Sequence, residues 1–135
     1  HIFVSEEFYN QNKDKAIAIY DSPKGYHSWI DEESFCNGIN LYAIDPKAVV
    51  TELLPYCKIR NWKLDVFYLN VSDKERKRRY KKREGNLDGY SEENHLNSNI
   101  LEDIDTNCYV VDADTEDISG LAKCILSLTV KEDVE

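Results

Sequence analysis

Residues 64–85 read LDVFYLNVSDKERKRRYKKREG, and this stretch decides the fold. Its first eight residues are mostly β-branched, aromatic or otherwise apolar, which is typical of a central strand covered on both faces. Ser72 and Glu75 follow with the spacing of a capping box, in which each side chain binds a free amide at the start of a helix. Gly85 is placed to end that helix. The stretch therefore predicts a buried strand at residues 64–71 that runs directly into a basic helix.

Strand and helix patterns also alternate on both sides of this stretch. Further strands are predicted at residues 2–4, 16–20, 39–44 and 108–111. Helices are predicted from Ser5, over residues 31–35, from Asp45 until Pro55, after Ser91, and from Thr115. A turn is predicted at residues 22–25 and a loop at residues 26–29. This alternation favours one α/β domain of three αβα layers with a largely parallel sheet, whose strand ends form ligand crevices.

The positive charge is concentrated in one element. Residues 74–83 hold eight basic residues and one acidic residue, so in a chain of net charge −9 the other residues carry −16. A short cationic segment concentrates its field on one small anion, whereas a diffuse acidic surface repels a nucleic-acid backbone. The distribution favours a phosphorylated small molecule over nucleic acid as the ligand. A solvated basic helix that contacts only water and neighbouring acids is the alternative interpretation.

Composition argues against several classes of protein. The chain has 135 residues, of which 41% are hydrophobic and 32% charged, and it contains no apolar stretch of about 18 residues. The cysteines form no C-x-x-C pair, and the histidines share no metal-ligand spacing, so no zinc site is expected. These features predict a soluble, cytoplasmic protein with one core and no membrane partner.

The basic helix carries three arginines on one face. Arg76, Arg79 and Arg83 are spaced at i, i+3 and i+7, with Tyr80 beside them. Guanidinium groups bind phosphate through paired, charge-assisted hydrogen bonds and stabilise the charge that develops during phosphoryl transfer. The helix is therefore a candidate phosphate clamp.

Several short motifs, taken in order, resemble the guanylate kinase family of nucleoside monophosphate kinases. HIFVSEEF at residues 1–8 is similar to that family's Y-x-F-V-S-x-x-x-F, and Tyr26-His27-Ser28 is similar to its Tyr-Gly-Ser/Thr. Ile44-Asp45 resembles the end of its buried strand. RYKKREG at residues 79–85 resembles its R-L-x-x-R-G motif, and YVVDAD at residues 109–114 its Y-x-V-x-N-D strand. The motifs span almost the whole chain, and their shared order carries the resemblance.

The resemblance implies a P-loop nucleotide-kinase fold that transfers the γ-phosphoryl group of ATP, with Mg²⁺, to a nucleoside monophosphate. Tyr26 and Ser28 would then bind the acceptor's phosphate, and Asp45 would lie near magnesium. Arg79 and Arg83 would clamp the donor's phosphates. The single domain, 1–135, would comprise an acceptor-binding region at 1–38, core segments at 39–83 and 95–135, and a lid at 84–94. On the residues alone, Tyr26 fits packing in a turn equally well, and Asp45 fits a helix cap.

The chain also departs from the family's pattern. It has no G-x-x-x-x-G-K-[ST] phosphate loop, which in the family precedes the segment matched at His1, so a fold incomplete at its N-terminus is expected. Apolar residues at 17–19 and Ala43 stand where the family has guanine-reading carboxylates, and residues 92–100 lack a second lid arginine. The acceptor base and the oligomeric state stay open. The alternative function is a catalytically inactive guanylate-kinase-like binding module.

Overall fold

The computed structural model describes residues 2–22, 24–90 and 97–130, and they form a mixed α/β protein. Contacts divide the chain into two compact units, His1–Lys63 and Leu64–Glu135. Each unit holds one two-stranded sheet, antiparallel in the first and parallel in the second. The predicted α/β class is confirmed at this level. The described residues do not form the larger parallel sheet that a three-layer domain would need.

The first unit begins with a short capped helix. Helix α1 covers Glu6–Asn12, and the Ser5 hydroxyl accepts a hydrogen bond from the Phe8 amide at 3.1 Å. The predicted start of this helix is confirmed. The strand predicted at residues 2–4 is wrong, because these residues pair with no other described strand and the side chains of Ile2 and Phe3 are more than nine-tenths exposed.

A β-hairpin follows α1. Strand β1, Ala16–Asp21, pairs antiparallel with β2, His27–Asp31, and the turn between them is closed by a hydrogen bond from the Gly25 amide to the Ser22 carbonyl. The loop predicted at residues 26–29 is therefore wrong for His27 onward, since the turn places these residues opposite β1. Ala18 has a φ of 55° within a bulge between Ile17 and Tyr20.

Three consecutive helical segments complete the first unit: α2 at Pro46–Ala48, a π-helical turn at Val49–Leu53, and α3 at Leu54–Arg60. The helix predicted to stop near Pro55 continues, because the Leu54 amide bonds to the Val49 carbonyl in a wider turn that precedes the proline. Val49, Leu53 and Cys57 are buried, together with Ile17 and Ala18 of β1. The core of this unit therefore lies between the hairpin and the π-helical turn.

Residues 31–44 join the hairpin to α2. The helix predicted at residues 31–35 is present as a single 3₁₀ turn at Glu32–Ser34, where the Asp31 carboxylate accepts the Ser34 amide. The strand predicted at residues 39–44 is wrong. These residues have the alternating apolar pattern of a strand, but Ile39 and Leu41 are 87% and 93% exposed and no described strand pairs with them.

The second unit contains the predicted strand-to-helix stretch. Strand β3, Asp65–Asn70, leads into helix α4, Asp73–Glu84, and Gly85 ends that helix with a φ of 85°. Strand β4, Asn107–Asp112, pairs in parallel with β3 in a continuous register from Asp65–Asn107 to Asn70–Asp112. Helix α5, Ile118–Val130, follows β4. The strand at 64–71, the basic helix and the strand at 108–111 are confirmed, although β3 is half-buried instead of covered on both faces.

At the start of α4, one of the two hydrogen bonds of the predicted capping box forms and the other is replaced. The Ser72 hydroxyl accepts the Glu75 amide at 3.3 Å, as predicted. The Ser72 amide, however, donates to Asp114 at 2.8 Å, and the Glu75 carboxylate binds Arg78 and Arg79 instead. The arginines one turn further along the helix outcompete the reciprocal bond because they offer charged donors.

Two further predictions concern the C-terminal half. The helix predicted after Ser91 falls partly on residues 91–96, which lie outside the described residues, and its described part is a 3₁₀ helix at Asn97–Leu101 with Leu101 buried. Thr115 binds the Asp117 amide, and Asp117 in turn binds the Gly120 amide inside α5, so Asp117 supplies the cap predicted for Thr115. Among the residues described, no helix combines the length and apolar character needed to cross a bilayer.

Candidate functional site

Helix α4 is fixed at the carboxyl end of the parallel strand pair. It begins two residues after β3 ends, and its Arg79 donates from Nη2 to the carbonyl oxygens of Ala113 and Thr115, at 2.8 and 3.0 Å. These carbonyls belong to the chain that leaves β4. Arg79 therefore connects the segments that follow both strands, at the edge where parallel α/β sheets bind ligands.

The three arginines of the predicted clamp become more exposed along the helix. Arg76 is 21% exposed and donates from Nη1 to the Val71 carbonyl at 2.7 Å. Arg79 is 39% exposed, whereas Arg83 is 72% exposed and donates from Nε to the neighbouring Glu84 at 2.9 Å. The structure thus places the two predicted catalytic arginines, Arg79 and Arg83, on one helix but in different environments. Arg79 is anchored to the protein, and Arg83 extends into solvent.

Two acids at the start of α4 organise its basic side chains. The Arg78 and Arg79 guanidinium groups hydrogen-bond to Glu75 and lower the pKa of that carboxyl to about 2. Hydrogen bonds from Lys77, which has the larger effect, and from Tyr90 lower the pKa of Asp73. Arg78 also binds Glu116 at 2.8 Å. Much of the positive charge predicted for this helix is therefore balanced within the second unit.

Residues 85–90, the first part of the predicted lid, fold back on α4. The Tyr80 hydroxyl donates to the Asp88 carbonyl at 2.7 Å, and the Tyr90 hydroxyl donates to Asp73 at 2.9 Å. The Tyr80 and Tyr90 rings meet edge to face, with centroids 5.4 Å apart. Gly89 has a φ of 79° and lies against Tyr80, where an added Cβ would approach the hydroxyl at 3.1 Å. The remainder of the predicted lid, residues 91–94, lies outside the described residues.

Tyr26 and Ser28, predicted to bind the acceptor, belong to the hairpin of the first unit. Ser28 lies in β2 on the face opposite to His27 and Trp29, because neighbouring side chains of a strand point to opposite faces. Tyr26 lies in the turn, before β2 begins. Ser28 is half-buried and pairs with Tyr20, whereas Tyr26 is 56% exposed at the end of the turn. The two predicted phosphate donors are therefore close in the chain but differ in setting: the Tyr26 phenol lies in an exposed turn and the Ser28 hydroxyl in a half-buried strand.

Asp45, the third predicted substrate-binding residue, caps a helix. Its Oδ2 accepts the Lys47 amide at 3.0 Å, and its carbonyl accepts the Val49 amide at 3.1 Å. The helix-cap interpretation of Asp45 is confirmed. Tyr26, Ser28 and Asp45 thus lie in the first unit, and Arg79 and Arg83 lie in the second.

A shallow groove of about 340 Å³ runs along β4 and α5 in the second unit. Its walls include Val110, Leu121 and Leu128, and its polar end is formed by Asp112, Thr115 and Asp117. Arg79 and Arg83 do not line it. The groove is mostly apolar and acidic at one end, so it does not suit a phosphate.

Sequence reasoning missed the side chains that hold these elements in place. Asp114, which accepts a hydrogen bond from the Ser72 amide, lies two positions after the last residue of β4. The sequence around it does not indicate that its carboxylate binds the start of α4. His27 was placed in a loop, yet it binds two carboxylates, from Asp21 and Glu6. The only sequence signal for these contacts is a histidine beside aromatic residues, six positions after Asp21 and across a predicted turn from it.

Comparisons of the chain with protein-family models, with curated proteins and with solved structures give no match. The resemblance to guanylate kinases therefore rests on the order of the short motifs.

Proposed function

We propose that this chain is a guanylate-kinase-like nucleoside monophosphate kinase that transfers the γ-phosphoryl group of ATP to a nucleoside monophosphate. The proposed fold is the three-layer αβα P-loop kinase fold. In it, β3 and β4 belong to the largely parallel sheet, and α4 is one of the helices that connect its strands. The observation that carries the proposal is the position of α4. Its arginine face starts at the carboxyl end of a parallel strand pair, which is the ligand-binding edge of such sheets.

The two arginines have different roles in this proposal. Arg83 is largely exposed, pairs with the adjacent Glu84, and lies over the Tyr80 ring with its Cζ 5.5 Å from the ring centroid. Both contacts are at the surface, so its guanidinium is able to turn toward a nucleotide phosphate. Arg79 keeps Nη1 without a hydrogen bond in the described part of the chain, while Nε and Nη2 are bound to protein. Arg83 is therefore the main phosphate ligand, and Arg79 positions the helix and contributes charge.

Tyr26 and Ser28 provide the acceptor side of the proposal. A phenol and a hydroxyl separated by one residue of the hairpin both donate hydrogen bonds, which suits the phosphate of a nucleoside monophosphate. The exposed Tyr26 hydroxyl is accessible, and pairing with Tyr20 fixes the backbone at Ser28. These two residues bind and orient the acceptor.

ATP and Mg²⁺ are implied by the resemblance. Among the described residues there is no cluster of three or more metal-ligating side chains. Magnesium at nucleotide sites is commonly held by one or two carboxylates together with the phosphates, so the single carboxylate of Asp45 fits such an ion only alongside the nucleotide. When bound, Mg²⁺ neutralises charge on the phosphates of ATP. Residues 1–135 contain no G-x-x-x-x-G-K-[ST] sequence, so these residues do not supply that cradle for the donor.

The alternative is a binding module with the same fold and no catalysis. One observation favours it: three protein oxygens, from Glu75, Ala113 and Thr115, already bind the Arg79 guanidinium. An arginine committed in this way stabilises the protein whether or not a nucleotide binds. A binding module of this kind would bind its partner through surfaces other than the one around Arg79.

A coupled assay on protein expressed from its complete open reading frame tests the proposal. A panel of nucleoside monophosphates is supplied with ATP and Mg²⁺, and turnover of at least one is expected. Arg83→Ala should lower kcat/KM at least tenfold, whereas Lys82→Ala removes a neighbouring exposed cation and should leave it unchanged. Turnover of none of the panel refutes the kinase. Calorimetric titration then separates the two candidates, because the binding module should give no heat with any nucleotide.

A further inference from the structure

The imidazole of His27 is enclosed by groups from two other elements of the first unit. Its Nδ1 lies 2.6 Å from Oδ1 of Asp21 on β1, and its Nε2 lies 3.3 Å from Oε1 of Glu6 on α1. Its ring stacks on Tyr9 of α1, with centroids 4.1 Å apart and planes 9° from parallel. One side chain of β2 therefore contacts both the neighbouring strand and the preceding helix.

This geometry specifies the charged form of His27. An ionised carboxylate accepts hydrogen bonds and donates none, so both ring nitrogens need a proton to bind their partners. Only the imidazolium carries two N–H groups; neutral imidazole would turn a lone pair toward one of the carboxylates. The hydrogen bond that His27 donates to Asp21, with a smaller contribution from Glu6, correspondingly raises the pKa of His27 above 6.5.

The contact with His27 is a large part of what holds α1 in place. Helix α1 has seven residues and buries none of them, so apolar burial anchors it only weakly. Its other aromatic contact with the hairpin joins Tyr9 to Trp29, with centroids 5.0 Å apart. Both contacts lie on the face of β2 that carries His27 and Trp29.

We propose that His27 is a proton-operated latch, which holds α1 against the β1–β2 hairpin when charged and releases it when neutral. The groups that face His27 are Glu6 and Tyr9 from α1 and Asp21 from β1. Burial raises the pKa of Tyr9 above its ordinary value of 10, so this phenol stays neutral while His27 titrates. The latch does not depend on nucleotide binding, although Tyr26 and Ser28 are the neighbours of His27 in the chain.

The direction of the pH effect follows from the raised pKa of His27. Because the folded protein holds this proton more tightly than the unfolded chain, the contact contributes fully below the unfolded pKa, near 6.5. The contribution is lost as pH rises through the higher pKa of the folded state. Helix α1 should therefore be docked in mildly acidic solution and released in mildly alkaline solution.

Nuclear magnetic resonance tests the latch directly on the whole chain. The ¹⁵N shifts of the His27 ring report its protonation, and nuclear Overhauser effects between Tyr9 and Trp29 report docking of α1, both followed from pH 5.5 to 9. The ¹⁵N shifts and the nuclear Overhauser effects should change together, with one midpoint at a pH above 6.5. Asp21→Asn should lower that midpoint more than Glu6→Gln, because its contact is shorter. His27→Phe keeps a stacking ring without a proton and should remove the transition, whereas His95→Gln should leave it unchanged.

Three results would overturn the latch: a His27 midpoint at or below 6.5, Tyr9–Trp29 contacts that persist unchanged through the titration, or a transition that His95→Gln removes. The Asp21 and Glu6 side chains are about 70% exposed, so their amide variants leave packing intact. An unshifted midpoint in both of these variants would be a fourth result against the latch.

Discussion

Replacing Arg79 and Arg83 separately with alanine distinguishes a structural arginine from a ligand-binding one. The two residues lie on the same helix, and the same substitution removes the same chemistry from each. Arg79 donates two hydrogen bonds to backbone carbonyls and one to Glu75. Arg83 donates one described hydrogen bond, to the adjacent Glu84, and its guanidinium lies over the exposed side of the helix near the Tyr80 ring. We expect Arg79→Ala to destabilise the protein and Arg83→Ala to leave its stability nearly unchanged.

The expected difference follows from the two carbonyl bonds of Arg79. A hydrogen bond with a charged partner contributes about 1.5–3 kcal/mol, and partial exposure of Arg79 reduces this to about 1 kcal/mol for each carbonyl. Loss of both costs about 2 kcal/mol, which lowers a urea midpoint by about 1 M at a slope of about 2 kcal/mol/M. Arg83→Ala should change the free energy of unfolding by less than about 0.5 kcal/mol.

Urea unfolding followed by far-UV circular dichroism measures both variants against the unsubstituted chain. Equal midpoints for Arg79→Ala and Arg83→Ala would refute the anchoring role of Arg79. A large loss for Arg83→Ala would likewise contradict its placement in solvent. Arg79→Lys provides a further check, because lysine keeps the charge but carries all its donors on one nitrogen instead of on the separate Nε and Nη2 atoms, and it should recover only part of the loss.

Three further predictions concern stability. Ser72→Ala removes the cap of α4 and should cost about 1 kcal/mol in urea unfolding, while Ser72→Asp should retain most of it. The pKa of Glu75 is lowered to about 2, so its contribution to the free energy of unfolding is present above about pH 4.5 and lost as the pH falls toward 2. The urea midpoints of the unsubstituted chain and of Glu75→Gln should therefore converge over that range. A constant gap between the two midpoints would contradict this prediction. Leu53→Ala should cost about 2–5 kcal/mol because the side chain is buried, whereas Leu41→Ala, at a 93% exposed position, should cost almost nothing; equal losses would contradict the assigned core.

The sequence predicted local structure where a cap and a periodic pattern coincided. Ser5, Asp45 and Ser72 each begin a helix, and residues 64–71 and 108–111 contain strands, because these signals depend only on near neighbours. The alternation of strands and helices predicts a largely parallel sheet, and the described residues contain one parallel pair, β3 with β4.

Predictions failed where the outcome depended on distant partners. Residues 39–44 have a strand pattern, but a strand needs a ladder, and no described strand supplies one. The helix continues past Pro55 because the π-helical turn at Val49–Leu53 comes directly before it. In this wider turn the backbone does not depend on the hydrogen bond that proline is unable to donate. The candidate site shows the same limit: helical spacing placed Arg79 and Arg83 on one face, but only the path of the chain after β4 determines that Arg79 is occupied.

The bulge at Ala18 has a consequence for the length of β1. Ile17 pairs with Ile30 and Tyr20 with Ser28, so β1 accommodates one residue more than β2 over the same span. Removing one residue there would regularise the ladder and leave every flanking partnership intact, Asp21 with His27 included. A deletion elsewhere in β1 would move the following side chains to the opposite face. Homologous chains should therefore vary in length at this single point of the strand and nowhere else along it.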